Sequence, residues 1–122
     1  MAVALVAGLI LGAVGVGAAW ALRGDDGSTA GGAAGDARHA CDALEGFDES
    51  EVLTRGAKGE VAVNRLAAAV ALSTAAAAGD GEFKPLSEAL RRVRDQHARF
   101  ADFSEPEVQK DLKAARSLCA DL

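Results

Sequence analysis

The chain has 122 residues, with 18 acidic side chains against 13 basic ones and a formal net charge of −5. That balance argues against non-specific nucleic-acid binding, which sets Lys and Arg against phosphate. One Trp, four Phe and no Tyr leave Leu, Val and Ala to build any core.

Residues Ala2 to Leu22 form a run of 21 residues without a charge. About 20 apolar residues span a bilayer core, so the run predicts an N-terminal transmembrane helix. A cleaved secretory signal has a basic start and an apolar stretch of roughly 7–15 residues. No Lys or Arg precedes this run, and it is longer than that, which favours a retained signal anchor. Val16-Gly17-Ala18 and Ala19-Trp20-Ala21 keep the alternative open, secretion after cleavage near Ala21. The nearest basic residues, Arg23 and Arg38, both follow the run, and the positive-inside rule read literally puts the domain in the cytoplasm. The position of the run at the N-terminus and the cysteine pair below favour the outside instead. Gly8 and Gly12 form GxxxG, with Ala4 one step earlier, a face on which two such helices approach closely; weak self-association through it is one reading, and the plainer one is that Gly and Ala make up about half of the run.

Arg23 to Gly35 reads RGDDGSTAGGAAG, a Gly/Ala/Asp tether without periodicity. From Asp36 to Leu122 the apolar spacing is helical and no strand alternation appears. A first short helix is predicted over Asp36–Glu45, with Ala37, Cys41 and Leu44 on one face. The acidic stretch from Gly46 to Gly59 follows, in which Asp48 is placed to cap a single turn. A second helix is predicted over Glu60–Ala78, with Val63, Leu66, Val70 and Ala77 as its stripe, flanked by Ala67, Ala71 and Ala75. Gly79-Asp80-Gly81 ends it. The third runs from Pro85 to about Asp102 and carries Phe83, Leu86, Leu90, Val93, His97 and Phe100 at steps of 3 and 4. Ser104-Glu105-Pro106-Glu107 reads as a capping box that opens the fourth. Val108, Leu112, Ala115, Cys119 and Leu122 form its stripe.

Four amphipathic helices with short connections predict an all-α, antiparallel up-and-down bundle. In that topology the start of the first helix and the end of the fourth share one end of the bundle. Cys41 and Cys119 fall on the apolar stripes of those two helices, so a Cys41–Cys119 disulfide is predicted. The alternative is two buried free thiols in a cytoplasmic domain.

Chemistry-bearing patterns are scarce. His97 interrupts an apolar stripe, and it is the candidate ligand-pocket residue; the plainer reading is a half-buried structural histidine. His39 and Cys41, two apart on a helix, do not face each other. No metal spacing, catalytic constellation, GxGxxG, P-loop or haem-attachment motif appears, and no catalytic residue, cofactor or metal is assigned. Ser73 and Thr74 lie in an Ala-rich helix and read as structural. Asp42, Glu45, Asp48, Glu49 and Glu51 lack calcium-loop spacing. They read, with Arg91, Arg92, Arg94 and Arg99, as solvated faces of opposite sign.

The apolar N-terminal helix, the CDAL segment, RLAAAVALSTAAAAGDGEFKPLSEALRRVRDQHA and the C-terminal KAARSLCADL together resemble small membrane-anchored proteins of actinobacteria. The resemblance covers nearly the whole chain and implies no functional residues. The expectation is a non-enzymatic, single-pass extracytoplasmic module for protein interaction or envelope support, with a bilayer and an unknown protein as partners. The alternative is a secreted helical module that binds a small apolar ligand.

Overall fold

The computed structural model describes residues 31–122. The apolar run Ala2–Leu22, its Gly8 and Gly12, and the tether up to residue 30 lie outside the described residues. Within them four α-helices form: α1 (Ala33–Glu45), α2 (Ala57–Gly79), α3 (Lys84–Phe100) and α4 (Pro106–Ala120). Single 3-10 turns at Glu49–Glu51 and Gly81–Phe83 punctuate the connections. Each turn is opened by an aspartate: Asp48 accepts from the Ser50 amide and Asp80 from the Glu82 amide, both at 2.9 Å. The cap expected at Asp48 is therefore formed.

Consecutive helices pack on one another, α1 on α2, α2 on α3 and α3 on α4, and α1 also meets α4. The end of α2 lies against the start of α1, because a side chain at Gly79 would stand 3.0 Å from the Ala33 Cβ. Ala37, Ala76 and Phe83 form a small apolar cluster at that end, with Ala33 packed on it. This contact explains why α1 begins at Ala33, three residues before the expected Asp36. Ala33, Ala34 and a buried Gly35 belong to the helix rather than to the tether.

The main core is aliphatic and small. Leu44, Leu66, Val70, Leu86, Leu90, Val93, Val108, Leu112 and Ala115 are buried, closed at one end by Phe47 and Phe103. On α2 the buried face differs from the expected stripe. Ala62, Leu66, Ala69, Val70, Ser73 and Ala76 point inward, whereas Val63 is 49% exposed and Ala67, Ala71 and Ala75 face solvent. Between Arg65 and Asp80 the helix carries no charge, so hydrophobicity alone does not select a face. Side-chain size selects it, since the separation of two packed helices is set by the residues at their contact. Small residues on both α1 and α2 let the pair close. α2 is also the one helix among the described residues long and apolar enough to cross a membrane. Here it is a bundle helix, packed on α1 and α3.

Ser73 donates to the Val70 carbonyl at 3.0 Å. Thr74 donates to the same carbonyl at 2.7 Å and lies 3.4 Å from Ser87 on α3. Both hydroxyls are therefore satisfied inside the fold, in keeping with their structural reading. Gly59, buried in the first turn of α2, faces the Thr54 carbonyl so closely that a Cβ would clash with backbone.

α3 buries Phe83 in the preceding turn, then Leu86, Leu90 and Val93 as expected, but it ends at Phe100 rather than Asp102. Ala101 adopts the left-handed conformation, φ 50°, and its amide donates to the His97 carbonyl. The chain turns there, so Phe100 is left 55% exposed and Phe103 fills the core in its place. α4 begins at Pro106, where the sequence placed it, yet no side chain caps it. The Ser104 amide and hydroxyl both donate to Asp102, each at 2.8 Å. Glu105, not Ser104, holds the N-cap position, so Ser104 and Glu107 stand one residue out of register for a capping box. Val108, Leu112 and Ala115 are buried, while Leu122 lies past the helix end and is 52% exposed. Asp111, buried on α4, accepts from Arg92 Nε of α3 at 2.9 Å.

Cys41 and Cys119 are disulfide-bonded, with Cα atoms 5.5 Å apart. This bond joins α1 to α4, which are otherwise less closely packed than any of the three consecutive pairs. The sequence separation is 78 residues, a loop whose closure stabilises by about 4 kcal/mol in the chain-entropy model. Replacing both cysteines by Ala is expected to lower unfolding stability by about 2–5 kcal/mol in urea titrations. An unchanged midpoint would contradict the staple. Ala101→Gly is expected to raise stability by up to about 1 kcal/mol, because glycine adopts the left-handed conformation without a Cβ penalty. A lowered midpoint in the same titration would argue against that turn.

Candidate functional site

An open groove of about 570 Å³ lies beside the disulfide. α1 supplies Arg38, Cys41, Asp42, Leu44 and Glu45; the end of α4 supplies Arg116, Cys119 and Ala120, with Leu122 beyond it. Both walls are built the same way. Arg38 precedes Cys41 by three residues and Arg116 precedes Cys119 by three, so each arginine lies one turn before its cysteine on the same helix face. Arg116 also donates to the Phe47 carbonyl at 3.3 Å and to Glu49 Oε2 at 3.0 Å. It thereby ties the α1–α2 connection to α4. Partial burial works against the Glu49 charge, but the Arg116 bond and neighbouring donors outweigh it, and the carboxyl is held below its ordinary range.

Arg116 was not singled out by sequence reasoning. Its i−3 spacing from Cys119 was a readable signal; its partner, 67 residues away, was not. The acidic block and the basic face of α3 do not pair with each other. Glu49 pairs with Arg116 and Glu51 with Lys58, whereas Arg92 pairs with Asp111 and Arg94 with its neighbour Asp95.

His97 stands at a different place, in the last turn of α3. Its ring stacks on Phe103 with centroids 4.0 Å apart and planes 22° apart, and Phe103 in turn meets Phe47 edge-on at 5.4 Å. His97 Nδ1 is buried without a hydrogen-bond partner, as is Gln96 Oε1. Gln109 Nε2 donates to the Phe103 carbonyl at 2.6 Å and fixes that corner. Two smaller open grooves, of about 390 and 300 Å³, lie near Gly59 and near Asp102 and Phe103. None of the three grooves is lined by His97. Phe47 and Phe103, which make this corner, were not assigned core positions from the sequence. Their sites in connections gave no periodicity; the scarcity of aromatic residues was the one usable hint.

Burial of the His97 ring lowers its pKa from the ordinary 6.5, and the nearby Asp102 charge opposes this only in part. Asp102 and Asp48 are held below their ordinary values by hydrogen bonds from Ser104 and Ser50, respectively. Among the described residues no group of three or more His, Cys, Asp or Glu side chains is arranged to hold a metal ion. The chain matches no protein-family model, no curated protein and no solved structure.

The lowered pKa gives His97 a defined pH signature. The unfolded chain binds the proton more readily, so this residue's contribution is present above pH 6.5 and is lost as pH falls through the folded-state value. The carboxylates act in the same direction but at more acidic pH. His97→Phe keeps a ring against Phe103 and removes the titration. It is expected to lose less stability than the parent between pH 7.5 and 5.5, measured by urea midpoints. Equal losses would show that His97 is not the group responsible.

Proposed function

We propose that the chain is a single-pass membrane-anchored module that presents its helical bundle outside the cytoplasm, for protein–protein contact or envelope support. The Cys41–Cys119 disulfide carries this reading. Disulfides persist in oxidising compartments and are rare in cytosolic proteins. The uncharged run Ala2–Leu22 supplies the anchor, and the Gly/Ala-rich sequence after it supplies the tether. The resemblance to small membrane-anchored actinobacterial proteins points the same way.

The groove beside the disulfide favours a second reading, a secreted module that takes a small apolar ligand. Its volume falls in the range of small-molecule sites, and Leu44, Ala120, Leu122 and the disulfide form an apolar surface within it. On that reading the ligand sits between α1 and α4 rather than at His97.

Protease added to intact cells that express the full chain is expected to cleave the bundle and leave an N-terminal fragment in the membrane fraction. Protection until the membrane is lysed would place the bundle in the cytoplasm. Recovery of the whole domain from the medium, with a small molecule retained in native mass spectra, would favour the second reading.

A further inference from the structure

We propose that Cys41–Cys119 is an exchange-active disulfide, open in the native fold to the thiolate of a dithiol reductant that enters through the groove between α1 and α4. Both cysteines are only half-buried, and both line the same open groove. Disulfides within reach of solvent are more labile than sealed ones, and this one packs against the core on one side and lines the groove on the other. The repeated Arg-x-x-Cys spacing brings Arg38 and Arg116 to the groove as well. A guanidinium near sulfur favours the thiolate over the thiol, which makes each cysteine a better leaving group during exchange. Asp42 and Glu45 on the α1 wall oppose this effect at Cys41, and Glu49, paired with Arg116 at 3.0 Å, offsets part of it at Cys119.

The exchange runs in two steps. The reductant's thiolate attacks one sulfur, the Cys41–Cys119 bond breaks, and the second cysteine leaves as a thiolate and takes up a proton. The reductant's remaining thiol, deprotonated, then attacks the mixed disulfide and releases the first cysteine. Two electrons and two protons pass from the dithiol to Cys41 and Cys119, and the dithiol departs as its own disulfide. The product has lost the one covalent tie between α1 and α4. Arg116, bonded to the Phe47 carbonyl and Glu49, and the packing of Leu44 in the main core remain. The seam is thus weakened rather than abolished. This proposal does not depend on where the bundle resides, because it is tested on purified protein.

The full chain in detergent micelles is treated with dithiothreitol at pH 8, and free thiols are counted by alkylation and mass spectrometry. Native protein is expected to be reduced at a rate proportional to dithiothreitol concentration and within about 100-fold of the rate in concentrated urea. Ala120→Trp, which places a bulky ring at the groove, is expected to slow native reduction about fivefold or more and to leave the rate in urea unchanged. The double variant Arg38→Gln and Arg116→Gln is expected to slow native reduction about threefold or more. A merely destabilised protein would be reduced faster, so the sign separates the two effects. A native rate that is independent of dithiothreitol concentration would show that unfolding must come first and would overturn the proposal. Rates in Ala120→Trp or in the arginine variant that match or exceed the parent's would overturn it as well.

Discussion

A single covalent bond sets the terms on which the helices of this bundle meet. α1 packs chiefly on α2, α2 on α3, and α3 on α4, and each of these seams joins helices that are neighbours in sequence. Closing the ring requires α1 to meet α4, and their contacts are supplied by residues from opposite ends of the domain. Bringing such distant segments together carries a loop-closure cost that local pairs avoid. Cys41–Cys119 removes much of that cost from the folding equilibrium by limiting the unfolded chain. Arg116 reinforces the same seam by bonding the Phe47 carbonyl and Glu49. The disulfide thus determines how firmly the two outer members of the chain order are held.

The inner seams rest on size rather than on hydrophobic bulk. Ala37 and Ala40 on α1, with Ala62, Ala69 and Ala76 on α2, are fully or almost fully buried. Alanine contributes little apolar area per residue, so its value lies in letting helix backbones approach and the larger Leu and Val side chains interdigitate behind it. Aromatic bulk is confined to the margins. Phe83 closes one end with Ala37 and Ala76, and Phe47, His97 and Phe103 close another corner. A domain with so small a core gains from a staple in proportion.

The parts legible in the sequence were those governed by strong periodicity or by a residue with few roles. α3 was legible because charged residues flank its Leu86, Leu90 and Val93 stripe on both sides. α4 was legible because proline at position 106 fits a first helical turn. The disulfide was legible because helix topology and cysteine placement gave independent constraints that agreed. The inward face of α2 was not, since an uncharged Ala-rich helix offers apolar residues in every direction. Phe100 and Phe103 exchanged roles because a left-handed Ala101 ends α3 early, and alanine gives no signal for that conformation. The capping box at Ser104 failed because the helix starts at Pro106 with Glu105 as its N-cap, which leaves Ser104 one residue too early to accept from the first turn. The groove between α1 and α4 exists only through tertiary packing, although the repeated Arg-x-x-Cys spacing that lines it stands in the sequence.

The architecture and both proposals therefore rest on the same pair of residues. The bond ties α1 to α4 and closes the helix ring; the proposed location outside the cytoplasm accounts for its formation, and the proposed exchange acts on it. The most direct measurement is the thiol count of the protein as cells make it. Cells that express the full chain are lysed into acid, and the protein is denatured and alkylated with iodoacetamide without reductant, then weighed intact. The account predicts no adduct without reductant and two adducts after reduction. Two adducts without reductant would contradict it and would leave Cys41 and Cys119 as free thiols in the protein as cells make it.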